Sequence, residues 1–228
     1  MSSTSKPART LPLEITEPMT ATFWNTKHRS YRGTDWIRTP TYFAQEVAGR
    51  FPNGSAVLDA GCGQGQDSAY FAAAGHRVTA MDHSDFALAQ IPEEALSGSV
   101  RRVTASLADF PYPFDDRSFD VVYAHLSVHY FDLPTTRKIM TEFQRVLRPG
   151  GLLCVMVNSV DDPEHGEGRQ LGPDYYELEP GDTKRYFSRR TLYDLTSDLF
   201  VPYLLEQHGR TRKDPHQAFV RLVAERNE

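Results

Sequence analysis

The stretch Val57-Leu58-Asp59-Ala60-Gly61-Cys62-Gly63-Gln64-Gly65 decides the fold. Val57 and Leu58 end a buried strand, and Asp59 puts an acid at its carboxyl edge. Gly61, Gly63 and Gly65 then turn the chain into a helix that begins near Asp67. So tight a strand-to-helix turn uses backbone angles that a Cβ disfavours, and bare main chain lets a ligand approach closely. The next strand-like run, Val78-Thr79-Ala80-Met81, ends on a second acid, Asp82. Two acidic strand tips side by side predict a nucleoside pocket at the carboxyl ends of a parallel sheet.

The pattern extends outward on both sides. Thr41 to Phe51 has helical spacing, with Phe43, Val47 and Ala48 on one face, and Phe51-Pro52-Asn53-Gly54 breaks it. Ala56 to Asp59 reads as the first strand, Asp67 to Ala74 as a helix stopped by Gly75, and His76 to Asp82 as the second strand. Ser84 caps a helix predicted from Phe86 to Leu96, which Pro92 shortens or kinks. Val100 to Ser106 gives a weaker third strand and Phe119 to Ala124 a strong fourth. In Leu133 to Leu147, Ile139, Met140, Phe143, Val146 and Leu147 recur at three and four residues, which predicts an amphipathic helix. Arg148-Pro149-Gly150-Gly151 ends it, and the apolar run Leu152 to Val157 predicts a buried fifth strand. Strands alternating with helices define an α/β fold around a parallel sheet. Beyond Asn158 the alternation stops. Asp161 to Lys184 reads as a polar insert, Ser188 to Leu199 as a capped helix, and Val201 to His208 with Ala218 to Ala224 as a closing hairpin over a basic turn containing Arg210, Arg212 and Lys213.

Bulk composition bounds the function. A chain of 228 residues fits one large domain with a three-layer core. Met1 to Thr22, rich in Ser, Thr and Pro, reads as a flexible tail, and residues 23–228 as a single domain. Within that domain, residues 23–50 form an aromatic-rich helical flap and residues 159–187 an insert. The net charge of −5 disfavours nucleic-acid partners. No apolar run approaches the roughly 18 residues of a membrane span. Two cysteines, Cys62 and Cys154, imply no disulfide framework and point to the cytoplasm.

Three ligands compete for the glycine loop. A phosphate loop needs Lys-Ser or Lys-Thr after its last glycine, and Gln66-Asp67 stands there instead. A dinucleotide loop has its third glycine later, and Asp59 with Asp67 would repel a pyrophosphate. The acids suit a cationic amine. S-adenosylmethionine carries an ammonium for Asp59, a carboxylate for main-chain N–H groups of the turn, and ribose hydroxyls for Asp82. The plainer reading makes Asp59 a turn acid and the glycines mere turn formers.

These residues, with Phe110-Pro111, Ser118-Phe119-Asp120 and Leu147-Arg148-Pro149-Gly150-Gly151, resemble the class I S-adenosylmethionine-dependent methyltransferases. The resemblance covers about Thr41 to Val157 and looks most like the small-molecule, tellurite-resistance-like branch. It implies a Rossmann-like three-layer sandwich, with a seven-stranded, mostly parallel sheet whose last strand is antiparallel. It implies that Asp59, Gly61 and Gly65 meet the methionine end, and that Asp82 and His83 meet the ribose and adenine. The adenine positions after strand three correspond to Ser106 and Leu107, where an acid is common in the family; Asp109 is the alternative.

The acceptor site is expected just after strand four, in Ala124-His125-Leu126-Ser127-Val128-His129-Tyr130-Phe131. His125 and His129, four apart, share a face if this turn is helical, and either is a candidate base or a shelf for the cofactor. Tyr130 and Tyr186 are further substrate candidates. Trp24, Tyr31 and Trp36 either close a lid over the sulfonium or simply fill the flap. No metal is expected, and Asp161-Asp162-Pro163-Glu164-His165 reads as a solvated acidic loop. Neither the Asp/Asn-Pro-Pro-aromatic signature nor the Pro-Cys pair of nucleic-acid enzymes is present. The expected partner is therefore a small-molecule acceptor, taken by a monomer or homodimer. An RNA or protein methyltransferase, a non-catalytic S-adenosylmethionine-binding module and a nicotinamide oxidoreductase are the alternatives.

Overall fold

In chain order, the spine of the computed structural model is β1 (Ala56–Ala60), β2 (Arg77–Asp82), β3 (Val100–Thr104), β4 (Phe119–His125) and β5 (Leu147–Asn158). The model describes residues 19–96, 98–209, 211 and 218–228. After β5 come three short strands, β6 (Arg169–Gly172), β7 (Tyr175–Glu179) and β8 (Asp182–Arg185), and then β9 (Phe200–Glu206) and β10 (Phe219–Arg226). The main sheet has seven strands in the order β3-β2-β1-β4-β5-β10-β9. β1 pairs in parallel with β2 and β4, while β10 runs antiparallel to both β5 and β9. The sheet is therefore mostly parallel with an antiparallel last strand.

Helices cover both faces, because β-strand side chains alternate. On one face, Ile139, Met140 and Phe143 of α6 (Leu133–Val146) and Leu192 of α7 (Arg189–Thr196) pack on Leu58, Val122 and Leu153. On the other, Phe43 and Val47 of α2 (Tyr42–Val47) and Phe71 of α3 (Gln66–Ala73) pack on Val57, Val121 and Tyr123. Three of these four helices start where a small polar side chain supplies the missing acceptor: Thr41 caps α2, Asp132 caps α6 and Ser188 caps α7. Among the described residues, no helix is long and apolar enough to cross a membrane.

Several boundaries differ from expectation, each for a local reason. The helix predicted from Phe86 to Leu96 is two single turns, α4 (Asp85–Leu88) and α5 (Glu93–Leu96). Pro92 lies between them and has no N–H to continue the ladder. The polar insert carries strands that no expectation gave it: β6, β7 and β8 form an antiparallel sheet of their own. The acidic segment before it is not simply solvated either: Asp162 is buried and accepts from Asn158 Nδ2 at 3.1 Å. At the amino end, Thr20 caps α1 (Ala21–Ser30), so helix begins inside the stretch read as tail. Residues 1–18 and the basic turn residues Arg210, Arg212 and Lys213 lie outside the described residues.

Asp120 fixes the amino end of the central strands. Its Oδ2 accepts from Ala56 N at 2.7 Å and its Oδ1 pairs with Arg148. Asp120→Ala leaves both partners unmet and is expected to cost about 1–3 kcal/mol in urea unfolding. Asp194→Ala, which breaks only the exposed Arg190 pair, is expected to cost less than about 0.5 kcal/mol.

Candidate active site

A cleft of about 930 Å³ opens over the carboxyl ends of β1, β2, β4 and β5, and the glycine elbow forms its floor. Gly61 and Gly65 have φ of +79° and +75°. A Cβ on Gly61 would stand 2.3 Å from Ser127 Cβ, and one on Gly65 would stand 2.6 Å from Ile91 Cγ1. Glycine here is set by packing as well as by backbone angle. Ser127 is itself fixed, donating from Oγ to Ala60 O at 2.6 Å. The elbow's own amides are engaged. Gly61 N and Cys62 N donate to Met81 O at 2.8 and 3.0 Å, Gly63 N to Asp82 Oδ2 at 2.8 Å, and Gly65 N to Cys62 O at 3.0 Å. The expectation that turn amides take a ligand carboxylate is corrected for these four, since the loop uses them to hold its own shape.

Three acids surround the elbow. Asp82 accepts from Gly63 N on one oxygen and from Ser84 N on the other, both at 2.8 Å. Each carboxylate oxygen has a second lone pair, so Asp82 pins the loop and retains acceptor capacity toward the cleft. Asp59 is buried beneath the elbow and takes the Ser68 hydroxyl at 2.6 Å. Burial first, and the neighbouring Asp67 charge second, push its pKa up to about 8. Asp67 is held by Thr41 N at 2.7 Å and by the hydroxyls of Thr41 and Tyr123, each at 2.8 Å.

The flap helix α1 is tied across the cleft at three points. Asn25 Oδ1 accepts from Ser84 Oγ at 2.6 Å, the His28 carbonyl accepts from Gln64 Nε2 at 2.9 Å, and Lys27 donates to Asp182 of β8 at 2.9 Å. Trp24 and Tyr31 therefore line the cleft, with Trp24 edge-on to Tyr130 at 4.7 Å and Tyr31 against Trp36 at 5.2 Å. His83, Ser106, Leu107 and Asp109 line the side wall. Both readings of the adenine position meet there, because Asp109 Oδ2 accepts from Ser106 N at 2.9 Å.

The other end of the cleft is reached through the turn after β4. Leu126 adopts φ +51°, and a short helical turn follows over Val128–Tyr130. His125 and His129 are thus not on one helix, yet both line the cleft. His125 lies parallel to the Tyr123 ring at 6.4 Å, and its buried Nε2 has no protein partner. His129 is 2% exposed with an unpartnered Nδ1. Burial, then Lys184 and Lys27, hold its pKa well below the ordinary histidine value. Tyr130 lines the cleft, but Tyr186 does not, and that expectation is corrected. Tyr186 is fully buried against His165 and Tyr176, in the core of the insert. The insert reaches the cleft through Asp162, Pro163, Glu164 and Lys184 instead. Lys184 pairs with Glu164. Sequence reasoning missed His28, Thr41, Tyr123, Asn158 and Lys184 as lining or supporting residues. Only His28 left a signal, four residues from Trp24 on the same helix face.

Residues 57–151 match a family model described as a methyltransferase domain. A malonyl-(acyl-carrier protein) O-methyltransferase of Yersinia pestis is 29% identical over 148 residues, covering 62% of this chain and 51% of its own. A 27-O-demethylrifamycin SV methyltransferase of Amycolatopsis mediterranei is 34% identical over 120 residues, covering 50% of this chain and 43% of its own. The chain thus spans about half the length of the curated relatives it matches. Among solved structures, the 1,6-didemethyltoxoflavin-N1-methyltransferase of Burkholderia thailandensis, with 1,6-didemethyltoxoflavin and S-adenosylhomocysteine bound, superposes with TM-score 0.67. It is 21% identical, and the match covers 91% of this chain and 85% of that one. A structure titled for conversion of a disulfide bond into a thioacetal group during echinomycin biosynthesis gives TM-score 0.68 at 22% identity, covering 91% and 92%. These two likenesses establish the fold.

The elbow's packing has a measurable consequence. Gly54 also has positive φ but open space around its missing Cβ. Gly54→Ala is expected to cost about 1–2 kcal/mol for the left-handed backbone alone. Gly61→Ala should lose about 1–3 kcal/mol more through overlap with Ser127. Equal urea midpoints for the two variants would contradict the packing account.

Proposed function

We propose that this chain transfers a methyl group from S-adenosylmethionine to an uncharged or cationic small molecule, at oxygen, nitrogen, sulfur or another chalcogen. The observation that carries the reading is a single cleft holding the glycine elbow and two strand-tip acids, within the segment that matches the methyltransferase family. The residues fit the cofactor. Asp59, with Asp67 beside it, offers negative charge to an ammonium, and Asp82 offers acceptor capacity to ribose hydroxyls. Gly61, Gly63 and Gly65 leave room for close approach, a cradle that a Cβ at Gly61 or Gly65 would disrupt. Ser106, Leu107 and His83 bound the nucleoside side, and Trp24 and Tyr31 present aromatic faces suited to a sulfonium. When bound, the cofactor supplies a methyl carbon activated by positively charged sulfur.

The chain's own residues then orient the acceptor and exclude water. His125 and His129 line the acceptor end, and each has one buried imidazole nitrogen without a protein partner. Burial keeps both neutral at pH 7, so each can take a hydrogen bond, or the departing proton, from an acceptor O–H or N–H. Tyr130 walls that end.

Charge narrows the acceptor. Among the described residues, Lys184 is the one lysine or arginine lining the cleft, and Glu164 neutralises it. Asp162 adds a further carboxylate. Among the described residues an anionic acceptor such as a malonyl carboxylate or an oxyanion therefore finds no unengaged cation. The unpaired thiols Cys62 and Cys154 suit a cytoplasmic setting.

Two experiments test this reading. Asp59, protonated in most molecules at pH 7 with its pKa near 8, must ionise to meet an ammonium. Binding of S-adenosylhomocysteine should therefore release protons at pH 7 and tighten as pH rises from 6 toward 8. Calorimetry in two buffers of different ionisation heat reads this directly, and Asp59→Asn should abolish the buffer dependence. In the second, label from methyl-tritiated S-adenosylmethionine should enter the uncharged or cationic fraction of a metabolite extract. Label confined to the anionic fraction would contradict the charge argument.

A further inference from the structure

Nothing above gives the His28 side chain a task. It is buried, it lines the cleft from α1, and its Nδ1 has no hydrogen-bond partner in the protein. Buried polar atoms are seldom left this way, because losing water without replacement is costly. The ring is nevertheless held in place. Its backbone carbonyl takes the Gln64 amide at 2.9 Å, and Tyr31 meets it edge-on at 5.7 Å. Its Cε1 lies 3.1 Å from where a Cβ on Gly63 would stand. Asn25 and Lys27 tie the same helix to Ser84 and Asp182 on either side. Such fixation of an unsatisfied donor-acceptor edge beside the elbow points to an absent partner. Burial holds the imidazole neutral against the pull of the nearby Asp82 carboxylate.

We propose that His28 is a cofactor-binding residue whose Nδ1 hydrogen-bonds a ribose hydroxyl of the nucleoside that Asp82 also accepts from. The assignment rests on the methyltransferase reading. A hydroxyl is the chemistry that fits, because it both donates and accepts and so satisfies either imidazole tautomer. A neutral ring offers a cofactor carboxylate no charge. The ammonium belongs with Asp59 and Asp67, at the other acidic patch of the cleft. The ribose falls to His28 because its ring lies over Gly63, whose amide is bonded to Asp82.

The test is calorimetric titration of the full chain and three variants with two ligands, S-adenosylhomocysteine and methylthioadenosine, which keeps the ribose and lacks the amino-acid end. His28→Ala should weaken both ligands by the same factor, about tenfold. His28→Asn, whose amide stands near the Nδ1 position, should restore most of the affinity for both. His28→Gln, whose amide reaches the Nε2 position, should not. Loss confined to S-adenosylhomocysteine would move the contact to the amino-acid end and overturn the assignment. Unchanged affinity in His28→Ala, or equal loss in all three variants, would overturn it as well, the latter marking a packing role alone. A wild-type chain that binds neither ligand would instead remove the methyltransferase reading, and this assignment with it.

Discussion

The carboxylate of Asp82 is the joint on which the site depends. One oxygen holds the Gly63 amide and the other holds the Ser84 amide, so the glycine elbow is locked to the tip of the neighbouring strand. Ser84 then caps α4 through Ala87 N and binds Asn25 of the flap. The flap in turn reaches the insert through Lys27 and Asp182. Elements far apart in sequence thus enclose one cleft through a short chain of hydrogen bonds that starts at a single acid. Buried hydrogen bonds to a charged group are worth more than neutral ones, and leaving their partners unmet costs more still. A polar residue at a strand tip is tolerated here because its partners are backbone amides that need an acceptor in any case.

Electrostatics sets what the cleft can receive. Asp59, Asp67 and Asp82 crowd one end, and no lysine or arginine lines that end among the described residues. Thr41 and Tyr123 satisfy Asp67 by hydrogen bonds without cancelling its charge, while Asp59, bonded to Ser68, is raised to a pKa of about 8 and gains its charge when a cation arrives. The result is a site that stabilises positive charge and disfavours pyrophosphate, which separates it from dinucleotide folds with the same strand-glycine-helix outline. At the far end Glu164 pairs with Lys184, Asp162 adds a carboxylate, and two buried histidine nitrogens stand unpartnered.

Much of this was legible in the chain. β1, β2 and β4 read as short apolar runs because helices bury both faces of the central strands, and α6 carries a strong helical pattern because it buries one face against the sheet. The small sheet β6–β8 was not legible. Its strands are four or five residues long, and β6 is mostly exposed, so they lack an apolar alternation to read. Tyr186 was taken for a site residue because it is an aromatic beside the insert, but its ring is needed to fill that insert's own core. His28 was overlooked for the opposite reason. Its spacing from Trp24 shows the helix face it shares, but its position over Gly63 comes from tertiary tethers at Asn25, Lys27 and Gln64, which that spacing does not encode. Leu126 shows the same limit, since its positive φ is imposed by the junction of β4 with β5 through Met156 O.

The central claim is that the elbow and its acids hold a sulfonium nucleoside rather than a dinucleotide. Equilibrium titration of the full chain with S-adenosylmethionine and, separately, with NADH tests it most directly. The account predicts saturable one-to-one binding of S-adenosylmethionine and none of NADH. Saturable NADH binding, or no binding of S-adenosylmethionine, would contradict it.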